Sequence, residues 1–403
     1  MQRHIWLDQP IYSTIRPCPL CSCKNAYRLI DLKYALFEDN PLSPVMHLAT
    51  CADCGFVFYD TQSTEADFDE FYSDHYLIHS YCSSLHDYQA DHNAYRHLAG
   101  LLRDVGINEV SRIVDVGCGR GQLLHALISY GFNNVAGIDL FSDYIKDLNA
   151  EGLEAYTGSA FDIPEHTKNA DLLIYKHIFE HFFDLHSAAK AAHKNIVPGG
   201  HLFIAVPDAT QYNNFREYSF LHYMNLEHIN HFDLPHIESL FSSYGMSMEY
   251  TDTQLLDISE DYPVPIMSCL FRKTSDSGPA DIEPDFNLAE DMLHWLEDNK
   301  SLDTTELKNL AASQHSVYVW GISLRTSMYL AMSSLKSCNI KAFLDIDPRK
   351  QNKTLLNKKI LSPDMLKHCS EKDTVVIGVG PSSRTMSEML CRQGFKGGII
   401  RLV

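Results

Sequence analysis

A run of alternate glycines between a strand and a helix constrains this chain most. Residues 111–116, Ser-Arg-Ile-Val-Asp-Val, read as a buried strand. Gly117-Cys118-Gly119-Arg120-Gly121 follow at once, and then the apolar helix former Gln122-Leu123-Leu124-His125-Ala126-Leu127. Glycines there let a ligand lie against bare backbone, close to the free N–H groups of a helix start. Such a turn suits an open α/β sheet that takes ligands beyond the carboxyl ends of its strands. The next strand, 134–139, ends on Asp139, where folds of this kind hold a ribose diol with a carboxylate. Taken alone, the pattern also fits an ordinary tight turn or a nicotinamide dinucleotide site.

The alternation continues downstream. Residues 153–158 read as a third strand, followed by Ser159-Ala160-Phe161-Asp162-Ile163-Pro164. Residues 171–176 read as a fourth, followed by His177-Ile178-Phe179-Glu180-His181. A Pro198-Gly199-Gly200 turn leads into a fifth, ending at Pro207. With Asp115, the glycines and Asp139, this order resembles the class I S-adenosylmethionine (SAM) methyltransferases. The resemblance implies a Rossmann-like, doubly wound α/β sheet with SAM as cofactor. On it, Asp115, Gly117, Gly119 and Gly121 line the methionine end and Asp139 grips the ribose. Asp162 reaches the adenine amino group, and His177 lies at the pocket floor unless it is simply a helix-start histidine.

Near the N-terminus stand two CxxC pairs, Cys18-Pro19-Leu20-Cys21 and Cys51-Ala52-Asp53-Cys54. Two such knuckles offer the four thiolates of a closed, structural zinc site. Ser22 and Gly55 after them ease the backbone round a metal. A redox pair and unrelated buried thiols are the alternatives, and Cys23 is a spare. The other cysteines of the eleven are scattered. Residues 1–8 lack the apolar core of an export signal, so the expectation is a reducing cytoplasm. No apolar run approaches the ~20 residues of a membrane span. The net charge of −19 argues against nucleic-acid partners.

Composition divides the chain into residues 1–60, a zinc-binding unit; 61–275, the SAM-dependent unit; and 276–403, a second, smaller Rossmann-like α/β unit. Residues 274–285 read as a linker, and 288–312 as one amphipathic helix. The C-terminal unit begins with a strand and the turn Gly321-Ile322-Ser323-Leu324-Arg325-Thr326-Ser327. It carries no GxGxxG, so a second dinucleotide site is not expected.

Between 222 and 231 the chain holds His222, Glu227, His228 and His231. Glu227, His228 and His231 could ligate a metal, or His231-Phe232 could simply open the next helix and pack. The three-unit architecture resembles the sugar C-methyltransferases, whose signature here is Tyr-His-Glu-His followed by aromatics. Glu227-His228 match its last two positions; Asn225 and Leu226 replace the others, and His231 stands where a tyrosine is common. The resemblance implies methylation of a nucleotide-linked 4-keto-6-deoxy sugar, at the carbon next to the ketone, in deoxysugar biosynthesis. His228 is the expected base, with Glu227 assisting, and the enolate attacks the SAM methyl. Tyr76, Tyr223, Asn225 and His231 are expected near the substrate, and Arg325 near its diphosphate, with Lys350 and Arg384 as further candidates. A purely structural C-terminal lobe is the alternative. Competing functions are O- or N-methylation of another small metabolite, or a non-catalytic SAM-binding scaffold. Oligomeric state is open at this level.

Overall fold

The computed structural model describes residues 10–75, 92–214, 223–257, 263–274, 282–299, 301–379 and 382–402. An N-terminal antiparallel sheet is built from β1 (Tyr12–Ser13), β2 (Asn25–Lys33), β3 (Val45–Cys51) and β4 (Val57–Thr61). Helix α1 (Glu65–Glu70) follows; Thr64 and Asp67 close a capping box at its start.

The central sheet starts with β5 (Ile113–Val116), β6 (Val135–Asp139), β7 (Glu154–Thr157), β8 (Ala170–Lys176) and β9 (Ile196–Pro207). Next come β10 (Asn230–His231), then the long hairpin β11 (Met246–Asp257) and β12 (Pro263–Lys273). The order is β11-β12-β9-β8-β5-β6-β7, parallel from β9 to β7, with β12 antiparallel to both neighbours. Side chains alternate across these strands, so each strand feeds two cores. Ile113, Leu172, Ile174 and Phe203 pack with α2 (His92–Asp104) and α3 (Gln122–Ser129), and α4 (Ser142–Ala150) lies in the same core. Val114, Leu173, Tyr175 and Ile204 pack against α5 (Leu185–Asn195) and α6 (Leu234–Ser242).

Strand β10 belongs to the first sheet, where Asn230 and His231 pair with Phe58 and Val57 of β4. His231 therefore does not open a helix; Asp233 caps α6, with Pro235 in its first turn. The expected helix 288–312 is two, α7 (Asn287–Asn299) and α8 (Thr305–Ala312). Thr304 accepts the N–H of Leu307 and starts the second, because a capping hydroxyl favours a new helix end over continuation.

A third sheet holds β13 (Val317–Trp320), β14 (Ile340–Leu344), β15 (Thr354–Leu355), β16 (Lys358–Leu361), β17 (Thr374–Ile377) and β18 (Gly398–Arg401). Its order is β15-β16-β14-β13-β17-β18, flanked by α9 (Leu324–Met332) and α10 (Ser383–Arg392). It docks on the first sheet: the Ser327 hydroxyl donates to the Ala35 carbonyl at 2.8 Å, and Ala35 N–H donates to the Ser327 carbonyl at 3.0 Å. Among the described residues no helix is long and apolar enough to cross a membrane.

Candidate active site

The chain runs from β5 outward to β7, then returns to β8 on the other side of β5. Ligands of doubly wound sheets bind at that switch point, beyond the strand ends. The glycine loop leaves β5 there and His177 leaves β8 there. Gly117, Gly119 and Gly121 all have left-handed φ, of 82°, 53° and 78°, which favours glycine. A Cβ on Gly117 would lie 2.7 Å from Ile178 Cγ2, whereas one on Gly119 would meet nothing within 4 Å.

Asp139 ties the loop down. Its carboxylate accepts from the N–H of Gly119 at 2.8 Å and of Phe141 at 2.9 Å. Burial pushes its pKa up despite these bonds. Asp115 is buried too; burial drives it up to about 7, with Lys176 opposing and Asp139 reinforcing the rise. Two buried carboxyl groups beside bare glycine backbone fit a cationic nucleoside ligand such as SAM. Asp162 is exposed, its N–H donating to Ser159 Oγ at 3.0 Å, so it flanks the loop without a fixed contact. Asp139→Ala is expected to weaken SAM binding ~10- to 100-fold, the scale of one lost hydrogen bond to a charged group, in isothermal titration.

Beyond β8 a polar cluster forms. His177 itself sits at a left-handed φ of 57°, unusual for a non-glycine residue, and its Nε2 is buried without a hydrogen-bond partner. Glu180 is 2% exposed, and neither of its oxygens has a hydrogen-bond partner. His177 Nδ1 and His181 Nε2 lie 3.7 and 3.9 Å from Glu180 Oε1, ion-pair separations rather than hydrogen bonds. The His228 ring meets the His181 ring edge-on at 4.9 Å. Burial opposes the Glu180 charge, but the imidazoles of His177, His181 and His228 hold its pKa down at about 2. Burial, then the neighbouring His181, pushes His228 down to about 3, while Glu180 works against that fall.

The sequence singled out Glu227 and His228; the structure adds Glu180 and His181. Glu227 is buried and burial pushes it up to about 8, so it carries its proton at neutral pH. Its carbonyl accepts from His181 Nδ1–H at 3.0 Å, and its N–H donates to Asn225 Oδ1 at 3.2 Å. His231 is not part of this group: it is 1% exposed, its ring 5.2 Å from Tyr59, and neither nitrogen has a hydrogen-bond partner. The set Glu227, His228 and His231 is therefore not gathered for a metal, because β10 pairing turns His231 into the first sheet. Tyr223 is buried, stacked on Tyr212 at 4.1 Å beside Trp295 of α7. Tyr76 and His222 lie outside the described residues.

Sequence reasoning also missed Arg16. Its buried guanidinium donates to the carbonyls of Phe182, Phe183, Tyr59 and Ile229 and to Asn230 Oδ1. Asn230 Nδ2 donates in turn to the Phe182 carbonyl at 2.7 Å. These bonds clamp the segment carrying His181 to the one carrying His228. Nothing local signals them, since all five acceptors are distant in sequence. Arg16→Ala strands several buried carbonyls, each worth ~1–3 kcal/mol. Urea unfolding is expected to show a loss of about 3 kcal/mol or more.

The four N-terminal cysteines come together. Cys18, Cys21, Cys51 and Cys54 sulfurs lie within 4.8 Å of one another, with Cys18–Cys54 at 3.7 Å and Cys21–Cys51 at 3.3 Å. A tetrahedral Zn–S bond of ~2.3 Å requires sulfurs ~3.8 Å apart, so the set fits zinc. Ser22 and Gly55 adopt left-handed φ of 64° and 86°. Cys23 stands outside the cluster, its sulfur accepting from Asn25 N–H. Cys54 C=O accepts from Asp285 N–H and from His236 Nε2–H, both at 3.0 Å. The end of the expected linker thus packs against the knuckle.

In the third sheet the switch point between β13 and β17 is laced by side chains. Thr326 Oγ1 donates to the Gly321 carbonyl at 2.7 Å, and Ser323 Oγ to the Gly378 carbonyl at 2.8 Å. Lys350 is not free for a ligand: it donates to the Ile322 carbonyl at 2.9 Å and pairs with Asp345. Arg384 is exposed on α10 beside Glu388. Arg325 is half-buried in the first turn of α9.

Fold and site define an α/β protein with a glycine loop at the switch point of its central sheet. Residues 88–251 match the family model of a methyltransferase domain, a segment that contains the glycine loop, Asp139, His181 and His228. Similar solved structures include a putative sarcosine dimethylglycine methyltransferase from Galdieria sulphuraria, 16% identical, covering 45% of this chain and 86% of that one at a TM-score of 0.36. A SAM-dependent methyltransferase from Methanosarcina mazei is 17% identical over 43% of this chain and 97% of that one, TM-score 0.38. A Haloferax volcanii complex of the Trm112 methyltransferase activator with a putative methyltransferase gives 15% identity, 52% and 98% coverage, and a TM-score of 0.39. No curated protein matches the chain. The domain match supports a SAM-dependent methyltransferase activity.

Proposed function

We propose that this methyltransferase acts on the carbon next to the ketone of a nucleotide-linked 4-keto-deoxy sugar. The observation that carries the reading is the meeting of His181 and His228, at 4.9 Å, over buried Glu180 beside the glycine loop. A heteroatom acceptor is already nucleophilic, whereas carbon must first lose a proton beside a carbonyl. An imidazole that is unprotonated at neutral pH suits that task. His228 takes the proton, and Glu180 with His181 stabilises the imidazolium that forms. Protonated Glu227 donates a hydrogen bond to the enolate oxygen, as a carboxylic acid kept neutral by burial can. Asn225 orients the Glu227 backbone, and Tyr223 walls the substrate side.

Asp115, the Gly117–Gly121 backbone and Asp139 hold SAM, which when bound supplies an electrophilic methyl group. Zinc on the four cysteines is structural, because four thiolates leave no open position. The α9 start with Arg325 takes the substrate diphosphate. Residues 1–60, 61–275 and 276–403 then serve as zinc, SAM and substrate units.

The test supplies SAM with nucleotide-linked 4-keto-6-deoxy sugars deuterated beside the ketone, read by mass spectrometry. A methyl gained with that deuterium lost is the expected product. A methyl gained with the deuterium retained points to a heteroatom acceptor. No product with any sugar, from protein that binds SAM, rejects the sugar reading.

A further inference from the structure

A carboxylate buried without a single hydrogen bond calls for a cation. Glu180 is that carboxylate, and imidazole nitrogens face it. His181 is set up as a ligand: its Nδ1–H is committed to the Glu227 carbonyl at 3.0 Å, which fixes the tautomer and turns the Nε2 lone pair toward Glu180. Metal-bound histidines are oriented by this kind of outer hydrogen bond. One ligand atom each from Glu180, His181 and His228 lies within 4.8 Å of the others, the same bound that encloses the four cysteine sulfurs.

We propose that Glu180, His181 and His228 form a second metal site, distinct from the cysteine site, that takes a divalent first-row transition ion of the Zn2+ type. Two imidazoles and one carboxylate suit such ions, whereas Mg2+ and Ca2+ prefer oxygen donors. Bond lengths of ~2.0–2.2 Å ask the Glu180–His181 pair to close by about half an ångström from the observed 3.9 Å. His181 and His228 are only partly buried, so an ion has a route in. Three protein ligands leave a coordination position open.

Metal here occupies the His228 lone pair. On the function proposed above, the metal-loaded protein therefore lacks its base, and the site acts as a reversible metal brake. That consequence rests on the functional reading; the binding does not.

The test is a Co2+ titration of protein whose cysteine site already holds zinc, with zinc content measured before and after. One further equivalent of Co2+ is expected, with visible d–d bands and no intense thiolate charge-transfer band. Glu180→Gln and His228→Gln should each weaken it by about tenfold or more. Both variants are checked for retained cysteine-bound zinc and unchanged far-UV circular dichroism. The half-buried His228→Gln decides the matter if Glu180→Gln misfolds. No Co2+ uptake beyond the cysteine site, or uptake unchanged in a folded variant, overturns the proposal. If Co2+ binds as expected while no sugar is methylated under any metal condition, the site stands and the sugar reading falls. If sugars are methylated, Zn2+ should suppress turnover and a mild chelator restore it.

Discussion

His228→Ala is expected to lower methyl transfer by ~10²- to 10⁴-fold, the range for losing a positioned general base. SAM affinity should stay unchanged, because the glycine loop and Asp139 belong to the central sheet and His228 precedes a strand of the first. The backbone around the site should also hold, since the turn at His228 is closed by its own N–H donating to the Asn225 carbonyl at 3.2 Å. Steady-state turnover, SAM titration calorimetry and circular dichroism on one preparation separate these effects. Undiminished turnover in a folded variant would remove His228 from the chemistry and return attention to heteroatom acceptors, whose protons leave more readily.

Cys51→Ser is expected to abolish both bound zinc and turnover, although the cysteine cluster supplies nothing to the reaction. Cys51 ends β3, and the knuckle after it leads into β4. Strand β4 pairs with Asn230 and His231, and Tyr59 N–H donates to the Ile229 carbonyl at 2.9 Å. His228 therefore hangs from the edge of the first sheet. Structural zinc contributes ~10–16 kcal/mol in zinc-finger peptides, as much as a whole domain's stability. Hydrogen exchange should report lost protection in β3, β4 and β10, with α3 and β5 largely spared. Cys23→Ser, outside the sulfur cluster, should keep both zinc and activity.

Some of this was legible from sequence because it is short-range. The glycines adopt left-handed backbone where residue type alone allows it. The strand–loop–helix order brought Asp115 and Asp139 to one loop, and each CxxC presents its two sulfurs from a single turn. Two expectations failed for equally local reasons of a different kind. Thr304 hid a helix start inside an amphipathic pattern, and β10 was too short to show strand periodicity.

The residues near His228 are another matter. Sequence determined the sheet type, the glycine loop and the cysteine knuckles, because backbone conformation and ligand spacing act within a few residues. Only the tertiary structure decided that Glu180, and not the adjacent Glu227, joins His228 and His181. Only it placed Arg16 between those segments and sent His231 into the first sheet. The physical reason is that buried polar groups must find partners wherever the fold brings them, and those partners come from segments far apart along the chain.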